Sequence, residues 1–287
     1  MKKLLILLSI FAVFVCISVF NLEAQIPGGS QGFTEALSWM DSAFAQEEAT
    51  SLDAYYLGRA VAANILTSYM QYTGNPELTR YLNQICRTIV INSNFPELYN
   101  GYHVMILDSP EFNALATPGG HIFITKGLVE ACNSEDMLAA IIAHELAHIM
   151  LKHSLSIIED MRFYDEMSAM ADRAVQFAGN TEAAARFTYF RNSVAATIDT
   201  LVKNGYSQDQ EFEADEGSIV LLAGSGYNPQ ALLEILQILQ NVQHSELGGF
   251  NYTHPTPSER IEHAARYASQ FRIQDTRSYS ESRFKNK

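Results

Sequence analysis

His144-Glu145-Leu146-Ala147-His148 places two histidines four residues apart, with a glutamate beside the first, inside the apolar run from Met137 to Leu151. A helical turn takes about 3.6 residues, so both imidazoles project from one face, one above the other. Two imidazoles so placed can share one zinc ion, and Glu145 is within reach of a water activated by it. Ser134 precedes the run as an N-cap, and Glu135 and Asp136 occupy the first turn, where the helix dipole favours acids. Leu138, Ile141, Ile142, Leu146 and Ile149 recur at spacings of three and four and predict a core-facing stripe. Buried polar groups need partners, so the alternative of two core histidines with ordinary hydrogen bonds fits a lone histidine better than this pair. With 8 histidines in 287 residues, chance would supply such a pentapeptide in roughly one or two chains per hundred. A third ligand is therefore required.

Glu211-Phe212-Glu213-Ala214-Asp215 opens a second helical segment that runs on through Ile219, Val220, Leu221 and Leu222. Glu211 and Asp215 are four apart and share a face, so one can bind metal while the other supports a ligand. Glu213 lies off that face. The competing account is an acidic, solvated helix start. A closed structural zinc site would use four ligands, usually rich in cysteine, and no such cluster is present.

Composition suits one enzyme domain: 47% of residues are hydrophobic, enough for a sizeable core. The net charge of −13 excludes nucleic acid and anionic lipid surfaces as natural partners. Lys2-Lys3 followed by the apolar run Leu4 to Phe20 and a small residue at Ala24 read as a signal peptide over 1–24, cleaved after Ala24. The run is just long enough to span a bilayer, so a retained single anchor is the alternative. No other segment reads as membrane-crossing, which excludes a multi-pass membrane domain. These features place the chain in the periplasm or otherwise outside the cytoplasm. Cys86 and Cys132 would remain after cleavage, as one disulfide or two buried thiols.

Residues 25–34 are a Gly-containing flexible lead-in, 35–273 the catalytic domain, and 274–287 a disordered polar tail. Helical patterns cover about 35–73 and 77–92, separated by Gly74-Asn75-Pro76. Tyr102 to Leu107 is a β-rich run, and Phe112–Ala116 and His121–Thr125 form a hairpin around Thr117-Pro118-Gly119-Gly120. The fold class is α+β: mainly helical, with a small sheet or hairpin beside the active-site helix. His103, His121 and His153 carry no ligand pattern and read as packing or surface polarity. Met161 to Asn204 is helical and reads as core or as a mobile cover. Ser258 is positioned to N-cap a helix through Tyr267, after a loop stiffened by Pro255 and Pro257.

Four ordered blocks carry a wider resemblance: Asn113 through Leu128, His144 to His148, Glu211 with Asp215, and His254-Pro255 with Arg260-Ile261. Together they resemble the gluzincin metallopeptidases related to the CaaX prenyl endopeptidase and HtpX, in their soluble periplasmic branch. The resemblance implies a zincin-like domain binding one Zn2+ through His144, His148 and Glu211. It makes Asp215 the partner behind a ligand, Glu145 the general base, and Arg260 a catalytic group that stabilises the oxyanion or orients substrate. Residues Asn113, Ala114, Leu115 and Ala116 become an edge strand on which an extended substrate lies. His254 becomes a lid residue able to occupy the open position on zinc, with Gly248-Gly249 as a hinge. The implied function is zinc-dependent endopeptidase action on misfolded or unfolded envelope proteins in periplasmic quality control, with outer-membrane assembly components as candidate partners. The alternative is a non-proteolytic, chaperone-like binder of unfolded outer-membrane proteins, which would have no need of Glu145.

Overall fold

The computed structural model describes residues 51–93, 100–155, 205–241, 257–271 and 277–285. All belong to one compact unit, Ala49–Lys287. The signal segment, the lead-in, all of Met161 to Asn204, Gly248-Gly249 and His254 lie outside the described residues. In chain order the elements are α1 (Ser51–Ser68), α2 (Pro76–Ile91), β1 (His103–Leu107), β2 (Ala114–Thr117), β3 (His121–Thr125), α3 (Lys126–Ala131) and α4 (Glu135–Met150). They are followed by α5 (Gln208–Ser225), α6 (Ala231–Asn241), α7 (Pro257–Ala268) and α8 (Arg277–Phe284). The fold is α+β, mainly helical with one small sheet.

Local chemistry sets several boundaries. The Asn75 side chain accepts from the Leu78 amide, and Pro76 occupies the first turn of α2. Ser134 caps α4 by accepting from Met137, as its sequence predicts. Ser207 and Gln210 cap the start of α5 reciprocally, and Gly226 ends that helix at φ 80°. Helix α7 starts at Pro257, one residue before the expected cap. Proline loses nothing by lacking an N–H in the first turn, and the Ser258 hydroxyl instead accepts from Gln240.

The sheet has the order β1-β3-β2. Strands β2 and β3 form the expected antiparallel hairpin, with Leu115 opposite Phe123. Strand β1 joins β3 in parallel, with Met105 opposite Phe123, a pairing that hairpin signals cannot show. Alternation then sorts the faces. Val104, Ile106, Ala114, Ala116, Ile122 and Ile124 enter the main core with α2 and α4. Leu107, Leu115 and Phe123 turn to the other side, against Leu57, Val61 and Ile65 of α1. Helix α1 crosses the hairpin turn closely. A Cβ on Gly58 would meet the Pro118 carbonyl at 1.4 Å, and one on Gly119 (φ 84°) would meet the Tyr55 Cα at 2.7 Å.

Helix α4 departs from the amphipathic expectation. Every residue from Glu135 to Ile149 is buried, because α2, α5, α6 and the sheet surround it. The stripe is real, but alanines at 139, 140, 143 and 147 let neighbours close on the remaining faces.

The disordered tail expected at 274–287 is corrected by α8. Arg283 donates from Nε and Nη2 to both oxygens of Glu135, at 2.5–3.2 Å, and Ser280 is buried beside Asp136. The two acids that begin α4 are buried and so need partners. Tyr81 and the Asn228 amide supply others, at 2.6 Å to Glu135 and 3.0 Å to Asp136. A polar sequence is thus ordered by long-range pairing that local composition does not reveal.

Cys86 and Cys132 are both buried, and burial pushes the Cys86 thiol up to about 12. His121 stacks on His103 with centroids 6.1 Å apart. Burial, then His103 and Arg59, hold its pKa below the ordinary value. The unfolded chain therefore takes up the proton first as pH falls below about 6.5, and stability falls with it. The His121→Gln variant is expected to lose less stability than the parent between about pH 7 and about pH 5.5. Urea midpoints at both pH values check this, and equal losses would remove His121 as a source of acid sensitivity.

Candidate metal centre

Helices α4 and α5 meet through small residues. Gly217 lies against Ala147, where an added Cβ would come within 3.0 Å of the Ala147 methyl. This close crossing brings the buried stripe of α5 (Glu211, Ala214, Asp215, Ser218 and Leu222) onto the histidine face of α4. The two carboxylates that sequence spacing only nominates are thereby set against the two histidines.

His144, His148 and Glu211 each offer one atom to a common point, all within 4.8 Å of one another. His144 Nε2 is 3.1 Å from His148 Nε2. It is 3.5 Å from Glu211 Oε2, while His148 Nε2 is 3.4 Å from Glu211 Oε1. A tetrahedral ion with bonds of about 2.0–2.1 Å separates its ligand atoms by roughly 3.3 Å. The spacing between the two imidazoles and that from each imidazole to its nearer Glu211 oxygen lie close to that figure, and two imidazoles with one carboxylate suit a borderline divalent cation. Among the described residues three protein donors converge, and a tetrahedral ion has a fourth position beyond them. The residues fit the ion.

Each ligand is held from behind. His144 Nδ1 is 3.1 Å from Asp215 Oδ1, which supports Asp215 as the group orienting that ring. Asp215 in turn accepts from Arg260, Nε to Oδ2 at 2.9 Å and Nη2 to Oδ1 at 2.6 Å. Arg260 Nη1 also lies 2.8 Å from Glu211 Oε2. The guanidinium is 2% exposed, and Glu211 and Asp215 are fully buried. Burial alone would raise the Asp215 pKa, but Arg260 and His144 outweigh it and hold the carboxylate ionised. Burial and Arg260 both depress His144, yet its hydrogen bonds to Asp215 and Glu211 prevail and push it up to about 9. A ligand imidazole must be deprotonated at the nitrogen that binds, so metal binding there is expected to release protons and to weaken as pH falls.

The other histidine has different company. His148 Nδ1 is 2.9 Å from His153 Nδ1, and His153 Nε2 is 3.2 Å from Glu213 Oε2. Tyr206 stacks on the His148 ring at 4.0 Å and 16°, with its hydroxyl 3.0 Å from that of Ser154. Sequence reasoning assigns His153 to packing or surface polarity and leaves Tyr206 unmentioned. Glu145 is 2% exposed on the same helix as the ligands. Strand β2 is an edge of the sheet among the described residues and packs on α4. His254 lies outside the described residues.

The profile of peptidase family M48 matches residues 76–268 of this chain, more than half its length. The chain belongs to peptidase family M48. The M48 region is similar to the Beta-barrel assembly-enhancing protease of Escherichia coli K12, 26% identical over 200 residues that cover 69% of this chain and 40% of that protein. It is likewise similar to the Mitochondrial metalloendopeptidase OMA1 of Schizosaccharomyces pombe, 26% identical over 186 residues, or 64% of this chain and 51% of that one. The OMA1 of Saccharomyces cerevisiae is 22% identical over 176 residues. The chain therefore spans about half or less of these M48 relatives. Its matched region contains all three metal-directed residues, Glu145, Asp215 and Arg260. Membership in a metallopeptidase family and the geometry of the donor set agree on a metal cofactor.

Proposed function

We propose that this chain is a zinc-dependent endopeptidase that hydrolyses misfolded or unfolded envelope proteins in periplasmic quality control. The observation that carries the reading is the spacing of His144, His148 and Glu211 at ligand distances, with Glu145 one residue from the first ligand. Bound zinc would polarise the scissile carbonyl and make water acidic enough to attack near neutral pH. Glu145 takes the proton from the attacking water and passes it to the leaving nitrogen. The Arg260 nitrogens face Asp215 and Glu211, which supports a role in positioning the ligand carboxylates beside the oxyanion or substrate-orienting role that the resemblance implies.

The edge strand supports a substrate-binding role for Asn113 to Ala116. The Thr125 amide donates to the Asn113 carbonyl. In an antiparallel register the hydrogen-bonded pairs are then 113/125, 115/123 and 117/121. The backbone groups of Ala114 and Ala116 point away from β3, and although both residues are buried, this outer edge is where we place an extended peptide. Pairing by backbone accepts many sequences, as a scavenger of unfolded chains requires. The name of the bacterial relative, with its reference to β-barrel assembly, supports outer-membrane proteins as substrates or partners. Among the described residues, no helix is long and apolar enough to cross a membrane, in keeping with a site that works in an aqueous compartment.

Incubating the chain with casein or a denatured outer-membrane protein, with and without a chelator, tests the reading. Cutting is expected with the native protein, to disappear on chelation and to return when zinc is added back. Binding without any cutting in either condition would replace the peptidase with the chaperone-like alternative.

A further inference from the structure

We infer that His153, backed by Glu213, is a positioning residue that sets the tautomer and ring plane of His148 for metal binding. This rests on the metal centre proposed above and extends it to a residue outside the H-E-x-x-H pattern. The backbone supplies the first argument. On a continuing helix, His148 and His153 would be five residues apart and on different faces. Helix α4 instead stops at Met150, and Lys152 adopts φ 58°. That left-handed conformation is unfavourable for a residue with a Cβ and persists where surrounding structure enforces it. Its effect is to fold the chain back beneath the last turn, and His153, 4% exposed, comes to rest against His148.

The hydrogen-bond directions supply the second. His148 turns Nε2 towards His144 Nε2 and Glu211, so a ligand lone pair at Nε2 leaves the proton on Nδ1. His148 Nδ1–H then donates to His153 Nδ1 across 2.9 Å. His153 must carry its own proton on Nε2, which donates to Glu213 Oε2 at 3.2 Å. Every proton in the chain His148–His153–Glu213 has one consistent place. Tyr206, stacked 4.0 Å from the His148 ring, fixes the remaining rotation. The two ligand histidines are therefore supported unequally. His144 leans on a buried carboxylate locked by Arg260, whereas His148 leans on a neutral imidazole whose carboxylate partner is 64% exposed.

The experiment measures zinc affinity of the full chain by competition with a chromophoric chelator, alongside thermal unfolding of the metal-free protein. The parent is expected to take one zinc and His148→Ala to lose it. His153→Ala is expected to bind zinc roughly 10- to 100-fold more weakly, with affinity measured where the metal-free variant is folded, because truncating this buried side chain also lowers its unfolding midpoint. His153→Asn, whose side-chain oxygen can accept where Nδ1 does, is expected to recover most of the loss. Glu213→Ala should weaken binding less than His153→Ala, and it decides the matter if His153→Ala does not fold: unchanged affinity there would overturn the relay. Parental affinity in a folded His153→Ala, while His148→Ala binds none, would overturn the proposal and leave the metal centre standing. Zinc binding undiminished in His148→Ala would instead remove the metal centre itself.

Discussion

The Glu145→Gln variant is expected to hold one zinc per chain at parental affinity and to hydrolyse peptides at least about 100-fold more slowly, within the range of about 10² to 10⁴ typical of a lost general base. The reasoning begins with what the substitution leaves alone. The ligand atoms come from His144, His148 and Glu211, and glutamine matches glutamate in shape, so α4 keeps its packing. What disappears is a group able to accept a proton and then return it. The loss should fall on kcat, because the substitution leaves the proposed substrate edge at β2 unchanged. Metal analysis with single-turnover kinetics checks both halves. Turnover near that of the parent with zinc in place would remove Glu145 from the proton-transfer role. Loss of zinc together with activity would show instead that the carboxylate is needed to hold the site.

How far the sequence alone discloses this site depends on the distance over which each part acts. The H-E-x-x-H pair, the Ser134 cap and the hairpin around Pro118 are legible because their signals are local: helical spacing, a capping hydroxyl, turn chemistry. The third ligand is legible only as one of two carboxylates on a shared face. What brings it to the histidines is Gly217 against Ala147, and a glycine in a helix announces no partner. The ion pair of Arg260 with Asp215 joins residues 45 positions apart, so a role facing substrate and a role behind the ligands look alike beforehand. His153 is hidden for another reason. Its place depends on the left-handed Lys152, which nothing in Leu151-Lys152-His153 signals. Helix α8 follows the same logic, since buried Glu135 recruits Arg283 from a polar tail. Local order is written in spacing; convergence is written in packing.

The Arg260→Met variant is expected to destabilise the metal-free protein by about 3–5 kcal/mol and the zinc-bound protein by much less. In the metal-free centre the buried Arg260 guanidinium faces the carboxylates of both Asp215 and Glu211, and with His144 it holds the Asp215 carboxyl below its usual range. Methionine matches much of the arginine stem and preserves packing, but it strands one negative charge in a fully buried cluster. Zinc brings positive charge to Glu211 and offsets part of that loss, so the rise in unfolding temperature on adding zinc should be larger in the variant than in the parent. At roughly 2–4 °C per kcal/mol for a chain of this size, the metal-free midpoint should fall by about 6–20 °C. Arg260→Lys should recover little, because a single ammonium cannot donate along both edges to Asp215 while facing Glu211. Calorimetry of the metal-free and zinc-loaded proteins decides between the two roles open to this residue. A guanidinium that served the transition state alone would leave metal-free stability at the parental value and show its loss only in kcat. A guanidinium that holds the ligand carboxylates must unbalance the centre before any substrate arrives.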